Sequence, residues 1–460
     1  MCPFCAQIAD LFGRRWVTIL IILTYVLGSI ICATAQNGGT LIGGRIIQGL
    51  GSGGVMVIVP VIVADLVPLR QRGYYMAMIL AIFALGSSLG PFIGGVIVQA
   101  TTWRWVFYIN LPIGGTAIVI LLLVLHTSHA DKFTVIQRIK RLDILGAMIL
   151  TMTSIAVLFA FTYGGVRYKW SSVYIVGPLM LGLCGFILYF LYEDSRYCVQ
   201  PMTPLRLFRT RTAAVVVFNS FIGACLLIWV IFYLPPYFQA ILGSSPVRTG
   251  VQLLPCVLVA ILGSAAAGII LGKTGRYKPL HLVGWGFVTL GLGLLSLLGP
   301  TSSTAEWVIF QLISAIGSGM IYDSLLPAFQ ATISEKDQAA GTAALAFLRC
   351  FSNAWGYAIP TLIFNTQVEK GLGAITDVDV RYNLAGGRAY EHATLEFMSS
   401  LGPETKQEVT RLFSSALQMI WWVAAALAGV CFLLTFLEEG IPLREELETE
   451  YGLPMTDMSG

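Results

Sequence analysis

Three ionisable side chains stand inside long apolar runs of this sequence, and each needs a chemical reason to be there. Arg45 lies in Gly44-Arg45-Ile46-Ile47-Gln48-Gly49-Leu50-Gly51. Asp323 ends Gly319-Met320-Ile321-Tyr322-Asp323, and Arg349 sits in the next apolar run. An arginine in hydrocarbon costs at least ~2.5 kcal/mol, so it must face protein or water. Gln48 is one helical turn from Arg45 on the same face, so the two can act as one polar unit. A carboxylate such as Asp323 suits a proton or a cationic ligand. The blander readings are that Arg45 caps backbone carbonyls near a helix end and that Asp323 serves packing or hydrogen bonding. Arg349 is a candidate partner for Asp323.

Other chemistry finds little support. Gly49-x-Gly51-x2-Gly54 has the spacing of a dinucleotide fingerprint, but it lies inside an apolar segment and not after a strand. Gly272-Lys273-Thr274 resembles the end of a phosphate-binding loop, yet the required earlier glycine is Ala267. His126 and His129 are too isolated for a metal site, and Cys2 and Cys5 form a lone CxxC. With no cluster of His or carboxylates at a membrane face, the expectation is a non-enzyme with no metal and no cofactor.

The elements that position these residues follow from composition. Of 460 residues, 56% are hydrophobic and 11% charged, against roughly 25% charged in soluble domains. Backbone polar groups in lipid must be satisfied within their own segment, so the chain reads as an all-α membrane protein. Twelve segments are long and apolar enough to span: 17–35, 41–64, 74–98, 105–125, 143–163, 173–192, 213–234, 249–271, 279–299, 305–327, 341–363 and 413–437. With the N-terminus cytoplasmic, the inner connections collect basic residues such as Arg70, Arg72, Lys140, Arg141, Arg209, Arg211, Lys273 and Arg276. The short outer ones hold few, among them Arg167, Lys169 and Arg248. This alternation obeys the positive-inside rule and puts both termini on the cytoplasmic side. The long polar segment 366–411 is an outer loop, and from Pro403 on it reads as an amphipathic helix leading into the last span. The net charge of +4 is a matter of topology and does not indicate nucleic acid.

Three motifs carry a family resemblance. Ala6-Gln7-Ile8-Ala9-Asp10-Leu11-Phe12-Gly13-Arg14-Arg15 resembles the loop between the second and third spans of the major facilitator superfamily, with Ala6 in place of the usual first glycine. An Asp and two Arg at a helix junction can network with a neighbouring helix end, as a gate or as a plain topology anchor. The Arg45–Gly51 stretch resembles the Arg-x-x-Gln-Gly-x-Gly motif of the fourth span, whose arginine is implicated in proton coupling. Gly86, Gly90, Pro91, Gly94 and Gly95 resemble the antiporter motif of the fifth span. Its four-residue glycine spacing offers one smooth face for close packing, and its proline a bend. Trp103–Gly115 and Tyr233-Leu234-Pro235-Pro236-Tyr237-Phe238-Gln239 are similar to fourteen-span drug:proton antiporters, in particular those of filamentous fungi.

The resemblance implies a two-bundle fold with about 12 spans present of 14, the first two being absent ahead of Asp10. Residues 6–126 are then what remains of the N-terminal bundle, with four spans, and 127–142 a basic cytoplasmic connector. Residues 143–192 are two inserted spans, 213–437 is the six-span C-terminal bundle, and 438–460 a cytoplasmic tail. An intact twelve-span transporter is the rival, and it would need two spans before Asp10. The implied activity is proton-coupled export of small organic molecules such as drugs, toxins or secondary metabolites. Arg45, Gln48 and Asp323 would serve proton coupling, and Asp10, Gly13, Arg14 and Arg15 the gating loop. Asn219, Phe238, Gln239 and Gln311 are candidates for lining the cavity, or for bridging helices. The expected partners are a small-molecule substrate, protons and the bilayer, with no nucleic acid, in a monomer of the plasma membrane or the vacuolar membrane. An uptake transporter for a siderophore or nutrient, and a truncated non-transporting membrane protein, stand as alternatives.

Overall fold

The structure is a computed structural model that describes residues 12–66, 93–124, 142–164, 167–195, 205–334 and 338–442, with isolated residues between them. Asp10, Pro91 and most of the expected span 74–98 lie outside the described residues, as do most of the 127–142 connector and the tail beyond 442. The described elements are helical. They are α1 (Arg14–Ala33), α2 (Gly38–Leu66), α3 (Trp105–Tyr108 and Asn110–Val124, one span), α4 (Ile144–Tyr163) and α5 (Val173–Glu193). Next come α6 (Arg211–Pro236), α7 (Pro246–Thr274), α8 (Lys278–Leu295), α9 (Thr304–Ala331) and α10 (Gln338–Gly371). The short helices α11 (Val378–Leu384) and α12 (Leu395–Ser400) precede the final helix, α13 (Pro403–Thr435).

Ten helices among the described residues are long and apolar enough to cross a membrane. The expected span 341–363 lies within α10, and 93–100 at the end of the expected span 74–98 is helical. Local sequence starts the helices where the chain needs them. Asp143, Thr210 and Ser245 each accept from a backbone N–H three residues on, and Pro246 follows Ser245 at the first helical position. Ser303 and Glu306 form a reciprocal capping box at the head of α9.

The amphipathic stretch after Pro403 leads into the last span as one unbroken 33-residue helix. One bound differs from the sequence expectation: α10 runs on to Gly371, so the outer connection shrinks to 372–402, which folds back as a cap of short helices. The cap joins the core of the C-terminal bundle through Ile375, Val380, Leu384, Ala389 and Met398.

Helices α6 to α10 and α13 share that core, in which Trp229, Trp285 and Trp421 are fully buried. A smaller core, with Val17, Ile21 and Ile58, joins α1 and α2, while α3 packs on α1. The α4–α5 hairpin lies against α10. Leu150 and Tyr189 of that hairpin meet Val57 of α2 and Phe347 of α10 in one buried cluster, closing one side of the seam between the two groups.

Close helix crossings rest on residues without side chains. A Cβ on Gly319 of α9 would overlap the Ala260 carbonyl oxygen of α7. Gly319→Val is therefore expected to force these helices apart, at about 1–3 kcal/mol, lowering the apparent Tm in detergent by roughly 2–4 °C. Gly293→Ala is the control, because nothing among the described residues lies within 4 Å of its Cβ position. A thermal melt in which the two variants shift equally would contradict the close contact.

Candidate functional site

The α2 register puts Arg45 and Gln48 three residues apart, and their side chains meet. Arg45 Nη1 donates to Gln48 Oε1 at 2.8 Å, and Gln48 Nε2 donates to Ser29 Oγ of α1 at 2.8 Å. Ser29 Oγ in turn donates to the Tyr25 carbonyl at 3.0 Å, and Asn110 Nδ2 of α3 approaches Ser29 Oγ at 3.5 Å. Gln48 and Ser29 are buried, whereas Arg45 itself is exposed. The arginine is thus anchored at one side and open at the other. Its guanidinium carbon lies 5.8 Å from the Phe107 ring centroid. Across the seam α2 packs against α10, which carries the half-exposed Tyr357. Carbonyl capping, the bland reading for Arg45, falls instead to Arg104, whose Nη2 donates to the Ala35 carbonyl at 2.8 Å.

The second polar group sits inside the C-terminal bundle. Ser264 Oγ of α7 donates to Asp323 Oδ2 of α9. Arg349 does not grip Asp323. Its Nε donates to Ser220 Oγ of α6 at 2.9 Å and its Nη2 to the Tyr322 carbonyl at 2.6 Å. Its guanidinium carbon stands 4.2 Å from the Tyr322 ring centroid. The Arg349 charge acts on Asp323 through space. Four helices, α6, α7, α9 and α10, thereby meet at one carboxylate and one guanidinium.

The loop signature is placed in part. Gly13 caps α1 with φ 93°, in the region that favours glycine. Arg15 Nη2 donates to the Leu122 carbonyl in the last turns of α3 at 2.6 Å. A cation there meets the negative end of the helix dipole. Arg14 is engaged within the chain as well. In the antiporter-type motif the close approach falls beside the expected stripe. Among the described residues, no atom lies within 4 Å of a Cβ built on Gly86, Gly90 or Gly94. On Gly95 that Cβ would come within 3.2 Å of the Pro246 carbonyl, at the head of α7. The motif helix therefore touches the C-terminal bundle.

The cavity candidates are mostly packed inside. Asn219 is fully buried and donates through Nδ2 to Thr435 Oγ1 at 3.2 Å and Glu438 Oε1 at 3.3 Å, a helix-bridging role. Gln311 is fully buried and donates to the Trp307 carbonyl of its own helix at 3.1 Å. Phe238 is buried edge-on to Trp307, with centroids 5.2 Å apart. Gln239 is half-buried in the π-helical turn Tyr237–Ile241 that extends α6.

Sequence reading missed Ser29 and Asn110, which reach the Arg45 network from other helices and carry no local signal. It also missed a buried pair, His281 Nδ1 and Glu438 Oε2 at 2.7 Å, with both side chains fully buried. Asp143, Glu193 and Cys198 each place a donor atom within 4.8 Å of the other two. All three are engaged within the chain, Asp143 as the cap of α4.

Comparison with known proteins agrees with this geometry. The family model described as Major Facilitator Superfamily matches residues 1–357. The MFS-type transporter TwmF of Talaromyces wortmannii is 44% identical over 453 residues, covering 98% of this chain and 82% of that protein. The MFS-type efflux transporter phmH of Phaeosphaeria nodorum is 40% identical over 459 residues, covering 98% of this chain and 81% of that protein. A crystal structure of a POT family transporter in complex with 5-aminolevulinic acid superposes with a TM-score of 0.58 at 14% identity, covering 94% of this chain and 85% of that one. At that identity the likeness concerns the fold alone. The two-group helical architecture, the Arg45 motif at the seam and the identity to these fungal proteins lead to one assignment: the chain belongs to the Major Facilitator Superfamily of membrane transporters.

Proposed function

We propose that the protein exports small organic molecules in exchange for protons, by alternating access across the seam between its two helix groups. The observation that carries this reading is Arg45: a charged side chain within a helix long and apolar enough to cross a membrane, anchored by Gln48 on its own helix, where that helix packs against α10 of the other group. Binding events at such a seam can shift the balance of two states only if they stabilise one state more than the other. Arg45 and Gln48 would serve proton coupling beside Asp323. The Gly13–Arg15 loop, tied to the end of α3, would favour one state. The direction of transport is supported by relatives such as phmH, which bears the name of an efflux transporter. The charge pattern supports cytoplasmic termini, and the plasma membrane is the site where export would protect the cell.

Proteoliposomes test it. Acid-inside vesicles are expected to accumulate a lipophilic fluorescent dye, and a proton ionophore to abolish this. An uptake symporter would respond in the opposite sense, and an inert chain would give no pH-driven movement of any dye tried. Asp323→Asn keeps an acceptor for Ser264 but cannot carry a proton. It is expected to lower pH-driven accumulation about tenfold, ~1.4 kcal/mol in a barrier, and to spare dye movement down its own gradient. Equal loss in both assays would assign Asp323 to structure.

A further inference from the structure

α6 carries Pro235 and Pro236 consecutively within the helix. Neither has an N–H, so the carbonyls of Ile231 and Phe232, four residues earlier, lose their helical donors. The next amide, Tyr237 N–H, bonds to the Leu234 carbonyl, and the chain runs on as the π turn Tyr237–Ile241. At Phe232 the missing donor comes from outside the helix. The Tyr390 hydroxyl donates to the Phe232 carbonyl at 3.0 Å.

Tyr390 is delivered by the cap that follows α10. Gly386 and Gly387, with φ 67° and 81°, turn the chain back toward the bundle. Asn365 at the end of α10 then holds both sides of that turn: its Nδ2 donates to the Gly387 carbonyl at 3.0 Å, and its Oδ1 accepts from Tyr390 N at 3.4 Å. The Tyr390 ring packs on Tyr233 and Phe364, with centroids 5.0 and 6.1 Å away. Burial pushes its phenol up to about 12, so it remains a donor at any physiological pH. On the other side of the carbonyl, the Phe232 ring meets Tyr357 at 4.6 Å, on the helix α10 that packs against α2 across the seam. The cap and the break in α6 are therefore joined by one hydroxyl, next to a helix that lines the seam.

We propose that Tyr390 is the latch of an outer gate: it stands in for the amide proton that Pro236 lacks, and so fastens the cap to the break in α6 and holds that end of the seam closed. This rests on the alternating-access reading above. Tyr390 acts through α6, as a positioning residue. Opening to the outside requires the Phe232 carbonyl to exchange Tyr390 for water.

The test uses Tyr357→Cys, at the seam, labelled from the outside by a membrane-impermeant maleimide and scored against the chain with its native cysteines alone. Adding Tyr390→Phe removes one hydroxyl and nothing else. Labelling is expected to rise roughly five- to tenfold, the population shift from losing one hydrogen bond. Pro236→Ala restores a backbone donor for Phe232, so in that background Tyr390→Phe is expected to change labelling by less than about twofold. Tyr233→Phe is the control, since its hydroxyl pairs with Thr361 Oγ1 at 2.7 Å and not with the break. Unchanged labelling in Tyr390→Phe overturns the latch. So does an effect of Tyr390→Phe undiminished by Pro236→Ala, or an equal rise in Tyr233→Phe. Labelling needs neither substrate nor proton gradient, so a wild-type chain that fails the flux assay while passing this one sinks the transport reading alone.

Discussion

Arg45→Ala is expected to abolish pH-driven transport, by roughly 30- to 100-fold, while the protein stays folded. The magnitude follows from what the side chain does. It supplies a charge-assisted hydrogen bond to Gln48, typically ~1.5–3 kcal/mol, and its exposed side carries a positive charge on the helix that packs against α10. Without Arg45, Gln48 Oε1 loses its donor in a side chain only 5% exposed. The relay then loses its fixed sense, which runs from Arg45 to Gln48, to Ser29, to the Tyr25 carbonyl. Arg45→Lys restores a charge but not the planar fork that reaches Gln48 while facing the seam, so it is expected to recover only part of the rate. Because the guanidinium is exposed, the apparent Tm should fall by far less than for Gly319→Val. Flux in proteoliposomes together with thermal melts decides the matter. Normal pH-driven flux in Arg45→Ala, or a Tm loss as large as that of Gly319→Val, would remove Arg45 from the mechanism.

The parts of this site that one helix holds were legible in the sequence. Arg45 and Gln48 lie a turn apart, so helical geometry alone brings them together. Arg15 could be placed at a helix junction because the signature and the basic pair mark one, though its acceptor, the Leu122 carbonyl, could not be named. Partners from other helices left no mark. Ser29 is a small neutral residue in an apolar run. The suggested Asp323–Arg349 pair shows the same limit: both residues are in the right region, but helix rotation sends the arginine to Ser220 and the Tyr322 carbonyl. The helix from Pro403 was legible as well: a proline at the first helical position, then Glu404, Lys406, Glu408 and Arg411 on an amphipathic stretch that leads into the last span.

The pair that sequence reading missed supplies the largest expected effect on stability. His281 begins α8 and Glu438 follows α13, 157 residues later, where no periodicity relates them. Between them they close the same end of three helices. Glu438 accepts from Asn219 of α6 at 3.3 Å, and its backbone carbonyl accepts from Lys278 Nζ at 2.6 Å. The next residue, Glu439, donates through N to Thr212 Oγ1 at 3.0 Å, and its carbonyl accepts from the Tyr277 hydroxyl. Both Glu438 and His281 are fully buried, so removing one partner leaves polar groups that water cannot reach. Glu438→Ala is therefore expected to cost ~3–5 kcal/mol, seen as a fall of roughly 4–8 °C in apparent Tm. Glu438→Gln keeps an acceptor and should cost less. The double variant His281→Leu, Glu438→Leu removes both polar partners and fills their space, so it should be more stable than Glu438→Ala alone. A double-mutant cycle using His281→Ala and Glu438→Ala is expected to show coupling of at least about 1 kcal/mol. Simple additivity of those two losses would mean that the pair is not what ties α6, α8 and α13 together.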